Sequence, residues 1–435
     1  MEVSVIGAGL AGSECAWQLA QRGIQVKLYE MKPEKRTPAH HTDAFAELCC
    51  SNSLRGAGLE NAVGLLKEEL RQLGSLILSC ADATRVEAGG ALAVDRHGFA
   101  NLVTERIRSH PNITVIPGEV TAIPEGEVVV ASGPLTSDAL AETLEKLLGE
   151  GCGFHFYDAA APLVSAASVD MESAWFGSRY DKGTADYVNC PMTEEEYAAF
   201  WEALTTAQEA EVHGFEDSQV FEGCMPVEVM ARRGRDTLRY GPLKPRGLKD
   251  PKTGKEPYAV VQLRRDNAQG SIYNLVGFQT HLRFPEQKRV FSMIPALRDA
   301  EYLRYGVMHR NTFLDSPRYL NRYYQLKSEP RIVFAGQMTG VEGYVESAAS
   351  GFLAGIELAR RLRGMEPIDF PQETAIGALG LYVSNGSIGN FQPMNVNFGI
   401  IPPLDHRVKG KRNKNAELSA RSLAIIEERK EDILQ

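Results

Sequence analysis

The sequence predicts an α/β fold: a Rossmann-like domain, a parallel sheet with helices, interrupted by a smaller α+β insertion domain. Three observations carry this. Residues 3–30 read as strand, glycine turn, helix, strand. Two further short apolar strands, at about 128–131 and 331–335, also run into glycine turns. Between them lies a stretch of about 175 residues, richer in charge and proline, with hairpin-like strands. An interrupted parallel sheet accounts for that spacing.

The first unit is the most informative. Val3-Ser4-Val5-Ile6 leads into Gly7-Ala8-Gly9-Leu10-Ala11-Gly12, a helix follows to about Gln21, and Ile24 to Glu30 forms the next strand. Gly7 permits a tight turn, Gly9 lets the backbone approach a pyrophosphate, and Gly12 lets the helix lie close to the strand. The pyrophosphate is received by the unpaired N–H groups of the helix N-terminus. Glu30, 18 residues past Gly12, is placed to accept a hydrogen bond from a ribose 2′-OH. The pattern specifies a dinucleotide without choosing between NAD and FAD.

The second unit favours FAD. Arg331 to Ala335 is a short apolar strand, followed by the glycine-rich turn Gly336-Gln337-Met338-Thr339-Gly340 and a helix from about Ser347 to Arg361. That helix carries Ala348, Ala349, Gly351, Ala354 and Gly355. Such a face admits close approach of another backbone or of a flat ligand, and the ligand is the reading adopted. Residues 1–150 and about 326–400 then form one discontinuous FAD-binding domain, 151–325 the insertion on the substrate side, and 401–435 a terminal segment. The insertion holds strands at 259–263 and 271–278. Thr193-Glu194-Glu195-Glu196 is a capping box that opens a helix ending near Leu204. Residues 416–435 read as a docked charged amphipathic helix.

Of 435 residues, 47 are Lys or Arg and 56 Asp or Glu, a net charge of −9 that excludes a uniformly basic nucleic-acid binder. A local basic face remains open. Residues 232–265 hold eleven basic and three acidic side chains, a net +8, beginning with Arg232, Arg233, Arg235, Arg239, Lys244 and Arg246. Clustered cations release counterions from a phosphate backbone and so supply affinity for nucleic acid. Tyr240, Tyr258, Tyr302, Tyr305, Tyr319, Tyr323 and Tyr324 lie in or after this window, available to stack on an unpaired base. No apolar run approaches the ~20 residues of a membrane span. The N-terminus starts as a strand without signal-peptide layout, and the expected location is cytoplasmic.

Seven cysteines, with no C-x-x-C pair, favour reduced thiols over a disulfide framework. Cys15, Cys80, Cys152 and Cys190 read as small buried hydrophobes. Cys50 follows Cys49 in a polar loop after the first unit, where ligand-facing loops emerge. Cys224 stands in Gly223-Cys224-Met225-Pro226, just ahead of a helix expected to start at Pro226. The positive end of such a helix lowers a thiol pKa. His40-His41-x-Asp43 finds no matching ligands, and no metal is expected.

Together these segments resemble the TrmFO family, the folate- and FAD-dependent tRNA (uracil-5-)-methyltransferases of bacteria. The resemblance is carried by Gly7 to Glu14, Pro38-Ala39-His40-His41-Thr42-Asp43, Cys50-Ser51-Asn52-Ser53-Leu54-Arg55, Gly89 to Arg96, Phe221-Glu222-Gly223-Cys224-Met225-Pro226 and Phe334 to Tyr344. It runs from Val3 to about Gly399. It implies methylation of the T-loop uridine in the tRNA elbow, with methylenetetrahydrofolate as carbon donor and NADH or NADPH as reductant. It also implies that a thiolate adds to uracil C6, with Cys224 the favoured nucleophile and Cys50 the base or its partner; the roles could be exchanged. The uridine must turn out of the folded loop, which gives the basic window a purpose. No DNA or membrane partner is expected. A second resemblance, to the glucose-inhibited division protein A family of wobble-uridine modification, shares the glycine motif and the Ala-Gly-Gln…Gly-Tyr segment. The residues are also compatible with a small-molecule FAD oxidoreductase or a non-catalytic RNA-binding flavoprotein.

Overall fold

The structure is a computed structural model that describes residues 1–37, 39–149, 153–159, 161–181, 184–210, 225–306, 308–387 and 391–435; of 153–159, 181 and 308–312 the backbone alone is described. Five strands form an all-parallel sheet in the order Ile332–Phe334, Glu127–Val130, Glu2–Ile6, Gln25–Glu30, Ile113–Pro117. Val3 and Val5 at its centre are fully buried, as are Val128, Val129 and Val130. Such continuous apolar runs belong to a parallel sheet covered on both faces. Strand Glu127–Val130 pairs with the late strand on one side, Ile332 opposite Val128, and with the first strand on the other, Val3 opposite Glu127.

Helix Leu10–Gln21 crosses from the first strand to the second, and helix Tyr344–Leu362 packs along it. The small residues of the second helix serve this contact. A Cβ on Gly351 would lie 2.2 Å from Ala11 O, and one on Gly355 2.9 Å from Cys15 O. The flat-ligand reading of that face is corrected: Gly351 and Gly355 meet backbone, and only the first turn of the helix, at Tyr344, Val345 and Ser347, borders a cavity. Gly12 acts likewise, since its Cβ would sit 1.8 Å from Gly7 O.

The chain leaves this unit through strand Gly153–Ala159 and returns through its antiparallel partner Met308–Leu314. Between them a six-stranded antiparallel sheet runs Trp175–Gly177, Tyr187–Met192, Ala259–Arg265, Ile272–Leu275, Leu163–Ser165, Tyr302–Arg304. Its core of Val188, Phe200, Val261, Phe278 and Phe291 is separate from that of the parallel sheet. The expected hairpin is present, with Leu263 opposite Leu275. The capping box holds helix Glu194–Thr205: Thr193 N–H donates to Glu196 Oε2 at 2.8 Å, and Glu196 N–H to Thr193 Oγ1 at 3.2 Å.

A three-stranded sheet, Ser53–Gly56, Ala91–Val94 and Arg85–Val86, joins the two units. The terminal helix, Lys411–Leu434, is longer than expected and docks on helix Ala62–Gln72. Ser422 Oγ donates to Glu69 Oε1 at 2.5 Å. The same buried carboxylate accepts from Ala375 N–H and Ile376 N–H at 2.7 and 2.9 Å, and burial still pushes its pKa up to about 7.

Candidate active site

Two cavities meet at the carboxyl ends of the parallel strands, where open α/β sheets bind ligands. The smaller, about 90 Å³, is bordered by Gly7, Ala8, Gly9, Glu30, Lys32 and His40. The larger, about 400 Å³, continues past Gly9, Leu10 and Ala11 to Cys49, Cys50, Gly336, Gln337 and Tyr344.

The residues present fit a pyrophosphate between them. Gly7 holds φ +96°, and a Cβ there would lie 2.7 Å from Ala131 O. A Cβ on Gly9 would meet no atom within 4 Å and would project into the space where the cavities join. Gly9 is also the cap of helix Leu10–Gln21, and among the described residues no side-chain cap bonds its first N–H groups. Glu30 Oε2 accepts from Ala8 N–H at 2.9 Å and Oε1 from Lys32 N–H at 3.0 Å. The carboxylate thus braces the glycine turn while keeping lone pairs for a ribose hydroxyl. The second glycine turn divides: Gly336 and Gln337 border the larger cavity. Met338 and Thr339 are buried behind them, and a Cβ on Gly340 would overlap Phe391.

Cys50 opens on the larger cavity. Its Sγ lies 2.9 Å from the Tyr344 hydroxyl, which also accepts the N–H groups of Cys50 and Ser51 at 2.9 and 3.3 Å. Cys49 borders the same cavity, but desolvation, Glu47 and Cys50 push its thiol up to about 12. A thiol raised in this way is disfavoured as an anion at neutral pH. Burial also pushes up Cys15, Cys80 (to about 11) and Cys190, in keeping with their reading as inert core thiols; Cys152 lies outside the described residues.

Two arginines unremarked as site residues in the sequence tie this loop down. Arg264, in strand Ala259–Arg265, donates from Nη2 to Ser51 Oγ at 2.7 Å and from Nε to Asn52 Oδ1 at 3.1 Å. Asn52 Nδ2 in turn donates to Val94 O and Arg265 O, both at 2.9 Å. Arg96 grips Asp266 with two bonds, at 2.9 and 2.8 Å, and reaches Leu48 O. Burial lowers the Arg96 pKa, but Asp266 outweighs it and the guanidinium stays charged.

Cys224 lies outside the described residues. The chain is described again from Met225, and Pro226 caps a helix of six residues, Val227–Arg232. The expected proline is therefore one position earlier than first helical. Val227 N–H donates to Gln279 O at 2.8 Å, and Gln279 borders the larger cavity.

The basic window does not act as one face. Arg232 pairs with Glu209, Arg235 with Glu194 at 3.7 Å, and Arg239 with Asp236 at 2.9 Å while covering the Tyr258 ring. Arg233, Lys244 and Arg246 are exposed. Among the tyrosines, Tyr240 is 84% exposed beside Arg239, whereas Tyr324 is 1% exposed in the core and is excluded as a stacking platform.

A five-stranded parallel sheet with a braced glycine turn, opening on a thiol-lined cavity and interrupted by an antiparallel insertion, defines a dinucleotide-binding α/β protein. A family model described as glucose inhibited division protein A matches residues 2–366. A methylenetetrahydrofolate–tRNA-(uracil-5-)-methyltransferase TrmFO of Acetivibrio thermocellus is 60% identical over 427 residues, 98% of each chain. A protein of the same name from Anoxybacillus flavithermus is 59% identical, over 98% of this chain and 99% of its own. The chain belongs to the TrmFO family and, by the wider match, to the glucose inhibited division protein A family. The solved structure of Aquifex aeolicus GidA shares the fold, with a TM-score of 0.71 at 16% identity over 99% of this chain and 74% of its own. No helix among the described residues is long and apolar enough to cross a membrane.

Proposed function

We propose that this protein forms 5-methyluridine in the T loop of tRNA, with methylenetetrahydrofolate as carbon donor, FAD as bound cofactor and NAD(P)H as reductant. The observation that carries the reading is the cavity itself: Cys50 opens on the same 400 Å³ space as the glycine turn at Gly9 and the second turn at Gly336. A thiol beside the redox end of a dinucleotide site suits a carbon transfer that also needs two electrons. Reduced FAD, when bound, supplies those electrons as hydride. Gly7 to Ala11, Glu30, Gly336 and Gln337 would hold it.

The protein's own residues supply the rest. The Cys224 thiolate adds to uracil C6 and makes C5 nucleophilic, which ring nitrogens alone do not. Once C5 has bonded to the methylene carbon, Cys50 accepts the C5 proton and the carbon's bond to the donor nitrogen breaks. As hydride adds to that carbon to complete the methyl, the Cys224 sulfur leaves C6 and the ring is restored. Lys244 and Arg246, exposed and without ion-pair partners among the described residues, meet tRNA phosphates, and Tyr240 stacks on a base. The free thiols among the described cysteines fit a cytoplasmic location.

The test supplies tRNA transcript, methylenetetrahydrofolate labelled at the methylene carbon, and NADH or NADPH. Label is expected in T-loop 5-methyluridine, and omission of the reductant stops multiple turnover. Label arriving from S-adenosylmethionine overturns the reading. Lys244→Glu combined with Arg246→Glu is expected to weaken tRNA binding and flatten its log–log salt slope, by about one for each phosphate no longer neutralised. An unchanged slope would place the RNA elsewhere.

A further inference from the structure

Tyr344 is the first residue of helix Tyr344–Leu362, and its ring reaches into the loop that carries Cys50. A phenol has one proton to donate and lone pairs to accept with. The N–H groups of Cys50 and Ser51 donate to the Tyr344 oxygen at 2.9 and 3.3 Å, and so occupy its acceptor side. The phenolic proton is left for the third neighbour, Cys50 Sγ at 2.9 Å. We propose that Tyr344 is a positioning residue: its O–H donates to Cys50 Sγ, favours the thiolate over the thiol, and aims the sulfur at the cavity. This rests on the reading of Cys50 as the group that receives the uracil C5 proton.

The chemistry follows from the direction of that bond. A hydrogen bond to the charged form of an acid lowers its pKa, so a thiol held this way loses its proton nearer neutrality. When the C5–H bond breaks, its electron pair stays on the ring and the proton forms an S–H bond at Cys50. The Tyr344 proton never leaves its oxygen. Burial, reinforced by Cys50 and Cys49, pushes the phenol pKa well above its ordinary value, which keeps Tyr344 a donor across the working range.

Several charged groups surround this pair. Arg96 is held by Asp266, and Arg264 is committed to Ser51 and Asn52. Glu47 pairs with Lys32 at 3.8 Å, and Glu346, in the first turn of the tyrosine's own helix, pairs with Arg55. Arg304 approaches Cys49 and Tyr344 from the insertion, its own pKa lowered by burial. His40 and His41, from the preceding loop, have their pKa values lowered chiefly by burial, which disfavours their charged forms. Glu342, which borders the same cavity, accepts from Gln337 Nε2 at 3.0 and 2.8 Å, and the phenol oxygen lies 2.9 Å from the sulfur.

The experiment is a pH profile of Cys50 alkylation by iodoacetamide, followed at that residue by mass spectrometry in the full-length holoprotein. Tyr344→Phe removes the hydroxyl and keeps the ring. Its Cys50 midpoint should rise by about one pH unit or more, with roughly tenfold slower alkylation near neutrality, and the pH dependence of methyl transfer should move with it. An unmoved Cys50 profile with normal flavin content overturns the proposal. Should Tyr344→Phe lose flavin or fold poorly, 3-fluorotyrosine at position 344 keeps the hydroxyl and makes it the stronger donor. The midpoint should then fall, and a midpoint that stays or rises overturns the proposal. Alkylation needs no tRNA, so it reports on Tyr344 even if the labelled-folate experiment rejects the methyltransferase reading.

Discussion

Cys224→Ala is expected to give a yellow protein that forms no 5-methyluridine. Uracil C5 becomes a carbon nucleophile only when C6 has been attacked, and alanine offers nothing to attack with. Among the other described thiols, Cys15, Cys80 and Cys190 are buried with raised pKa values, Cys49 is pushed up to about 12, and Cys50 is the one assigned the C5 proton. Flavin should stay bound, because Cys224 is not among the residues, Gly7 to Ala11, Glu30, Gly336 and Gln337, that would hold it. Cys50→Ala should also keep flavin yet lose about 10²- to 10⁴-fold in turnover, the range of a positioned acid–base group. Nucleoside analysis of digested tRNA and the visible spectrum check both variants. Parent-rate methylation by Cys224→Ala would reduce that cysteine to a structural residue.

Gly9→Val is expected to give a colourless protein of ordinary fold. The valine Cβ would enter open space, with no protein atom within 4 Å, so folding bears little of the cost. That open space is where pyrophosphate oxygens must approach the helix N–H groups, and two methyls there bar them. Gly12→Val is the control, since its Cβ would lie 1.8 Å from Gly7 O and should disrupt the fold itself. Flavin absorbance and circular dichroism separate the two outcomes. A yellow Gly9→Val protein with full flavin content would remove the assignment of the 7–12 turn.

The residues legible in the sequence were those whose roles depend on near neighbours. The first turn lies within one strand–helix unit, and its glycine spacing encodes its geometry directly. The capping box at Thr193 is likewise local. Tyr344 and Arg264 were not legible as partners of Cys50 and Ser51, because each pairing closes across more than two hundred residues. Tyr344 was visible only as part of the Gly343-Tyr344 motif, and Arg264 only as one charge in a basic window. Burial separates Arg264 from Lys244, and composition cannot see burial. The small face of helix Tyr344–Leu362 misled for a related reason: a backbone and a flat ligand demand the same absence of side chains.

Asn52 joins the two halves of the molecule as a rivet joins plates. Its amide holds Val94 on one side and Arg265 on the other, while its carbonyl takes Arg264. A tilt of the antiparallel domain would therefore pull on the residue two places after Cys50. Load applied far out on that domain would reach the thiol loop through the bonds of Arg264 and Arg265 to Ser51 and Asn52.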